Sequence, residues 1–195
     1  MSLVTYALVT LDDVKSFLGI TGSTYDTLLT MLINMSTDHV ETRCGRRFDD
    51  TTYTEEEYSG LGVKTLALDE FPITDTETFK LEINRASDNS DDWEEVDADE
   101  YWVDDDTGII TKTTSFNKGT KNWRATFSAG YKTIPYDLQW LAMNLISETF
   151  NKRNTQGIES EALGDRTVKF QLSSIIDNNS EYSQMLNNYR KIPVC

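Results

Sequence analysis

Histidine, cysteine and positive charge are all scarce in this chain. It has one histidine, His39, and two cysteines, Cys44 and Cys195, among 195 residues. A disulfide framework needs more cysteines than that, so a reduced protein of the cytosol is the expectation. No second histidine or cysteine pair stands at metal-ligand spacing. His39 and Cys44 lie about 140° apart on a helix and do not share a face. A lone histidine on the apolar side of a helix reads as a packed core residue.

Long apolar runs are missing too. The N-terminal stretch MSLVTYALVTLDD has neither a basic region nor a hydrophobic run, which argues against a signal peptide, and no segment reads as a membrane-spanning helix. Gly60-Leu61-Gly62-Val63-Lys64-Thr65 lacks the G-x-x-x-x-G-K-[ST] spacing of a phosphate loop and runs into a strand, so it reads as a glycine turn. The nucleophile-elbow spacing G-x-S-x-G does not occur. The expectation is a protein that is not an enzyme, with no catalytic residue, no cofactor and no metal.

Lysine and arginine total 18 against 33 aspartates and glutamates, a formal net charge of −15. Tight binding to a phosphate backbone needs clustered cations, so this chain is a poor candidate for it. The surplus either keeps the chain soluble or lets it lie near nucleic acid without sticking. Eleven carboxylates fall within residues 88–106, DNSDDWEEVDADEYWVDDD, where there is no Lys or Arg. Asp104-Asp105-Asp106-Thr107-Gly108 lacks the alternating loop and distal Glu of a calcium-binding EF-hand. It reads as a solvated acidic hairpin, with a negative patch for a basic partner as the functional alternative.

Local patterns divide the chain into helices around a β section. Thr10 is an N-cap, Asp12 and Asp13 suit the first helical turn, and Gly19 is a stop. A second helix runs from Ser23 or Thr24 to Gly45, with Tyr25, Leu28, Leu29, Leu32, His39 and Val40 on its buried face and Met31, Ile33 and Met35 at the margins. Arg43, Arg46 and Arg47 at its end either complement the helix dipole or meet a partner's acidic surface. Tyr53–Tyr58, Lys64–Leu68, Thr78–Ile83, Tyr101–Val103, Ile109–Thr113 and Trp123–Ser128 alternate as strands, and Asp106-Thr107-Gly108 is hairpin chemistry. Pro135 opens the longest helix. Thr167–Leu172 reads as a further strand, and Ser180 or Glu181 opens a last short helix. The expected fold class is therefore α+β, a mainly helical bundle with an inserted antiparallel β section of short strands. It forms one domain over 1–195, with helices 10–47 and 135–195 packed together and the β section 48–130 inserted between them.

The long helix carries surplus apolar surface. Leu138, Leu141, Ala142, Leu145, Ile146 and Phe150 form one stripe, and Trp140 and Met143 widen it past half the circumference. Such a helix needs cover on two sides. Trp140 and Met143 therefore either meet another subunit or complete a thick monomer core. The end of the chain, including Tyr189, Arg190, Ile192 and Pro193, is a docking strand or arm, or else a frayed terminus.

Several phrases, in order, also resemble a known family. They are Val9–Leu18, Tyr25–Leu29, the arginine-rich exit Arg43–Phe48, and Leu66-Ala67-Leu68 followed by Phe71-Pro72-Ile73. Ser128-Ala129-Gly130-Tyr131 with Ile134–Leu138 is the most telling, and Leu163–Val168 and Leu186–Arg190 complete the order. The chain resembles the head–tail connector (head-completion or adaptor) proteins of long-tailed bacteriophages. The resemblance implies a structural subunit, without catalysis or cofactor. It implies a ring docked on the portal protein, beside passing DNA and away from any membrane, offering a surface to the tail or a second head-completion protein. It places the chain at the head–tail junction of the virion, and in the host cytoplasm during assembly. The competing expectation is an acidic monomeric module that captures a basic partner.

Overall fold

A computed structural model describes residues 2–85, 92–152, 176 and 179–191. The chain divides into two compact units: Met1–Phe48 with Ile134–Arg190, and Asp49–Thr133 joined by Lys191.

The first unit is helical. Helix α1, Leu11–Leu18, starts at Thr10, whose hydroxyl accepts from the Asp13 amide at 3.2 Å, and stops at Gly19. Helix α2, Asp26–Cys44, buries Leu29, Leu32, Ile33, Val40 and Cys44 together with Thr30, Ser36 and Thr37. Two of these small polar residues fit because they are hydrogen-bonded: Ser36 donates to the Ile33 carbonyl at 2.9 Å, and Thr37 Oγ1 accepts from the Leu8 amide at 3.2 Å. These polar residues blur the apolar period of α2, so its buried face is turned from the expected one. Ile33 is fully buried, whereas Tyr25 is exposed and leans edge-on against Phe150 at 5.3 Å. Helix α3, Tyr136–Lys152, buries Leu138, Leu141, Ala142, Leu145, Ile146 and Phe150, the stripe that its sequence predicts. Helix α4, Ser180–Asn187, is capped by Asn179 and buries Tyr182 and Leu186.

The second unit holds seven strands in two antiparallel sheets. They are β1 (Thr51–Gly60), β2 (Thr65–Ala67), β3 (Ile73–Asn84), β4 (Trp93–Glu95), β5 (Tyr101–Asp104), β6 (Ile109–Lys112) and β7 (Gly119–Ala129). The larger sheet has the order β1-β7-β3-β4 and the smaller β2-β6-β5. Both feed one core. Leu66, Val96 and Ile110 meet Leu81, Ile83, Trp123, Ala125 and Phe127 there. Tyr53 stacks on Phe127 at 5.4 Å, and Phe116 packs edge-on against Trp123 at 4.7 Å. On β7 the inward residues Trp123, Ala125, Phe127 and Ala129 alternate with Arg124, Thr126 and Ser128, as the sequence indicates.

These sheets overturn the expected fold class. The protein is not a mainly helical bundle with an inserted antiparallel β section of short strands. Among the described residues, strand makes up 31%, against four helices. Three strands, β1, β3 and β7, are 10, 12 and 11 residues long. Only parts of them alternate cleanly. Register breaks between Tyr53 and Glu56 on β1, and between Asp75 and Lys80 on β3, shift the side-chain period, and Glu55 takes a φ of +56° at the first. Backbone pairing carries the strands through charged stretches that a side-chain pattern does not mark. For the same reason β4 lies inside the acidic run, paired to Glu82–Asn84. The expected strand Thr167–Leu172 lies outside the described residues.

The outer face of the large sheet is a layer of ion pairs. Glu82 on β3 accepts from Arg124 Nε at 2.7 Å and Nη2 at 3.0 Å, and from Lys80 Nζ at 3.0 Å. Trp93 lies over the Arg124 guanidinium at 4.5 Å. The hydrogen bond from Arg124 holds the Glu82 carboxyl below its ordinary 4.5. The stability this adds is complete above that value and lost as pH falls through the lowered one.

At the sheet corner, β1, β3 and β7 meet around Gly130. Its amide donates to the Pro72 carbonyl at 2.9 Å, and its φ is +121°. A Cβ there would stand 2.1 Å from the Asp49 carbonyl oxygen, which only glycine tolerates. Gly62, at φ +80°, has nothing closer than 3.9 Å to such a Cβ. Gly130→Ala should therefore destabilise by more than the ~1–3 kcal/mol of backbone strain alone, and Gly62→Ala only within that range. Urea unfolding midpoints of the two variants test the difference, and equal losses would contradict it.

Candidate interface surfaces

The face of α3 opposite its buried stripe holds Tyr136 and Trp140, and Met143 lies at the margin of that stripe beside Phe150. Trp140 is 40% exposed and packs edge-on against Tyr182 of α4 at 5.7 Å. Met143 is half-buried. Tyr136, which the sequence reading passed over, is 82% exposed. The signal was present, because Tyr136 and Trp140 are four apart and share a helix face.

Helix α2 has a comparable strip. Met31 and Met35, also four apart, are 37% and 44% exposed. They lie on the side of α2 opposite Leu29, Ile33 and Val40. The two strips thus lie on different helices, α2 and α3, which pack against each other in the helical unit.

The chain end is anchored up to Tyr189. The Tyr189 hydroxyl donates to the Asp137 carboxylate, 2.7 Å from either oxygen, and its ring stands edge-on to Phe48 at 6.0 Å. Arg190 is exposed and lines a cleft of about 180 Å³ with Arg43, Ser183, Leu186 and Asn187. Ile192 and Pro193 lie outside the described residues.

Burial sets the protonation of His39 and Cys44. Burial, helped by Arg43, lowers the pKa of His39, and its Nε2 is buried with no hydrogen-bond partner among the described residues. Burial raises the Cys44 thiol to about 11, against the opposing pull of Arg46, and Cys44 Sγ points at the Leu186 carbonyl at 3.7 Å. A thiol kept protonated near pH 7 is a poor nucleophile. No group of three or more His, Cys, Asp or Glu could hold a metal ion among the described residues. No helix is long and apolar enough to cross a membrane among those residues.

This arrangement defines a class: a helical unit interrupted by a two-sheet β unit, with apolar strips on two of its helices. Chains of the same fold occur in three solved particles. They are described as the neck of an empty GTA particle computed with C6 symmetry, the virion of a native gene transfer agent (GTA) particle, and the neck of a native GTA particle computed with C12 symmetry. Their TM-scores are 0.54, 0.54 and 0.52 at 14%, 13% and 12% identity, covering 100% of this chain and 95% of each of theirs. No curated protein matches the chain. The sequence signature of the head completion protein family spans residues 7–192, and the chain belongs to that family. It is thus a structural component of phage-type virions.

Two measurements probe the helical unit. His39 has a folded pKa below its ordinary 6.5, so the folded state binds fewer protons than the unfolded one as pH falls past that value. The stability from keeping it neutral is complete above 6.5 and lost below it. Between about pH 7.5 and 5.5 the urea midpoint should fall less in His39→Gln than in the unsubstituted protein, and parallel curves would contradict this. Tyr189→Phe should cost ~1.5–3 kcal/mol, as expected for a hydrogen bond to a charged group, with Asp137→Asn as the partner in a double-mutant cycle.

Proposed function

We propose that the chain is a connector subunit at the head–tail junction. It docks as a ring on the portal protein, extends the DNA channel, and presents a surface to the tail or a second head-completion protein. The observation that carries this reading is the pair of apolar strips, Tyr136–Trp140 with Met143 on α3 and Met31–Met35 on α2, in one helical unit of a head completion protein. A closed ring joins copies head to tail, so each copy uses two different patches. The solved chains of this fold, in necks computed with C6 and C12 symmetry, supply a precedent for such a place.

The charge suits a conduit. At −15, the chain repels phosphates and lets DNA pass without holding it. Tyr189 and Arg190 start the chain end that, with Ile192 and Pro193, reaches a neighbour in the neck. The protein acts by position and contact, without catalysis, in the virion and in the host cytoplasm while particles assemble.

Trp140→Glu and Met35→Glu place a charge on the two exposed strips. Each variant should remain folded but lose at least about tenfold in incorporation at the portal vertex, the equivalent of ~1.4 kcal/mol per contact. Quantitative gels of purified particles and micrographs of their necks provide the measurement. Normal incorporation and tail joining by Trp140→Glu would remove this residue from the ring contact.

A further inference from the structure

The small sheet of the β unit has a second exposed surface that the ring contact does not use. Its strands β2, β6 and β5 turn Leu66, Ile110 and Val103 inward to the core. The alternate residues face outward in two cross-strand rows. One is Thr65–Thr111–Trp102 and the other Ala67–Ile109–Asp104. Trp102 is 64% exposed on β5, an edge strand, and has no ring, cation or hydrogen-bond partner among the described residues. An indole left in water on a sheet face that also carries alanine, isoleucine, threonine and Asp104 is surface suited to a contact.

The charge around it selects the partner. Asp104 shares the outward face with Trp102, and Asp105 and Asp106 follow in the adjoining turn. No Lys or Arg pairs with these three among the described residues. Among the glutamates of the same run, Glu100 is matched by Lys112 at 3.5 Å, Glu94 by Arg85 at 2.7 Å, and Glu95 by Lys80 at 3.5 Å. The three aspartates that follow the exposed ring have no such cation among the described residues.

We infer that this face binds a basic segment of a partner protein. An arginine or lysine of that segment lies on the Trp102 ring, and its charge is met by Asp104, Asp105 and Asp106. The protein shows the same geometry internally, where Arg124 lies 4.5 Å from the Trp93 ring while paired to Glu82. A guanidinium held between an indole face and carboxylates gains from both. The surrounding negative field also speeds its arrival at low salt. The inference concerns the β unit alone and stands apart from the ring contact of the helical unit.

The test titrates the full chain with an acetylated hexapeptide of alternating arginine and leucine, using calorimetry at low and physiological salt. A peptide with glutamate in place of arginine serves as control. The arginine peptide should bind, more weakly as salt rises, and the glutamate peptide should not. Trp102→Ala and the double variant Asp105→Asn/Asp106→Asn should each weaken binding about tenfold, and Trp102→Phe, which keeps a ring, only about threefold. Both altered sites are exposed, and circular dichroism checks that each variant folds. The inference is overturned if the arginine peptide does not bind, if both peptides bind alike, or if Trp102→Ala binds as well as the unsubstituted chain.

Discussion

The close approach of Gly130 to the Asp49 carbonyl is the contact on which the β unit depends. Asp49 forms a bridge with Tyr131, and Ala129 pairs with both Thr51 and Ile73. The strand that opens the unit and the strand that closes it therefore meet at one corner. A segment whose ends lie side by side can be inserted into another folding unit without stretching it. The helical unit is assembled from residues on both sides of that insertion, so its two halves rely on the insertion returning the chain to its starting point. A side chain at Gly130 would push the two strand ends apart there, and this gives a physical reason for the Ser128–Tyr131 phrase.

Electrostatics divides the β unit into a satisfied layer and an unsatisfied one. Arg124, Lys80 and Lys112 are spent inside the structure: Arg124 and Lys80 on Glu82, Lys112 on Glu100 beneath Trp123 and Phe116. With 18 cations against 33 carboxylates, using cations for internal pairs leaves the outer turns acidic. Such a surface keeps DNA at a distance while remaining receptive to a basic protein segment. The two properties have one source, because the field that repels phosphates attracts arginines.

In the proposed ring, helices of the helical unit serve two roles at once. On α3 the buried stripe from Leu138 to Phe150 builds the fold, while Tyr136 and Trp140 stand on the far side. On α2 the far side carries Met31 and Met35, flexible side chains that adapt to a neighbour's shape. Apolar surface of this kind costs an isolated subunit solubility, and the surplus of negative charge counters it. Tyr182 and Asp137 tie α4 and the chain end to the start of α3, so the surface next to Trp140 is held by side chains from two parts of the sequence.

The amino-acid sequence by itself determined the parts governed by local rules. The caps of α1, the buried stripe of α3, the alternation of β7 and the turn at Asp106–Gly108 follow from capping, helical period, strand period and glycine chemistry, and each is where the pattern puts it. The order of short phrases was enough to indicate the family. Fold class was misjudged because strand length depends on pairing with distant neighbours: β1 and β3 run through charged residues and register breaks that only β7 explains. The rotated face of α2 had the same origin, since Ser36 and Thr37 are buried through hydrogen bonds, one of them to the distant Leu8 amide. Of the candidate surfaces, Trp140 was visible as surplus on a helical wheel. Tyr136, the Met31–Met35 flank and the exposed Trp102 were not singled out, because solvent exposure is a property of what fails to pack against a residue, and only the tertiary structure decides that.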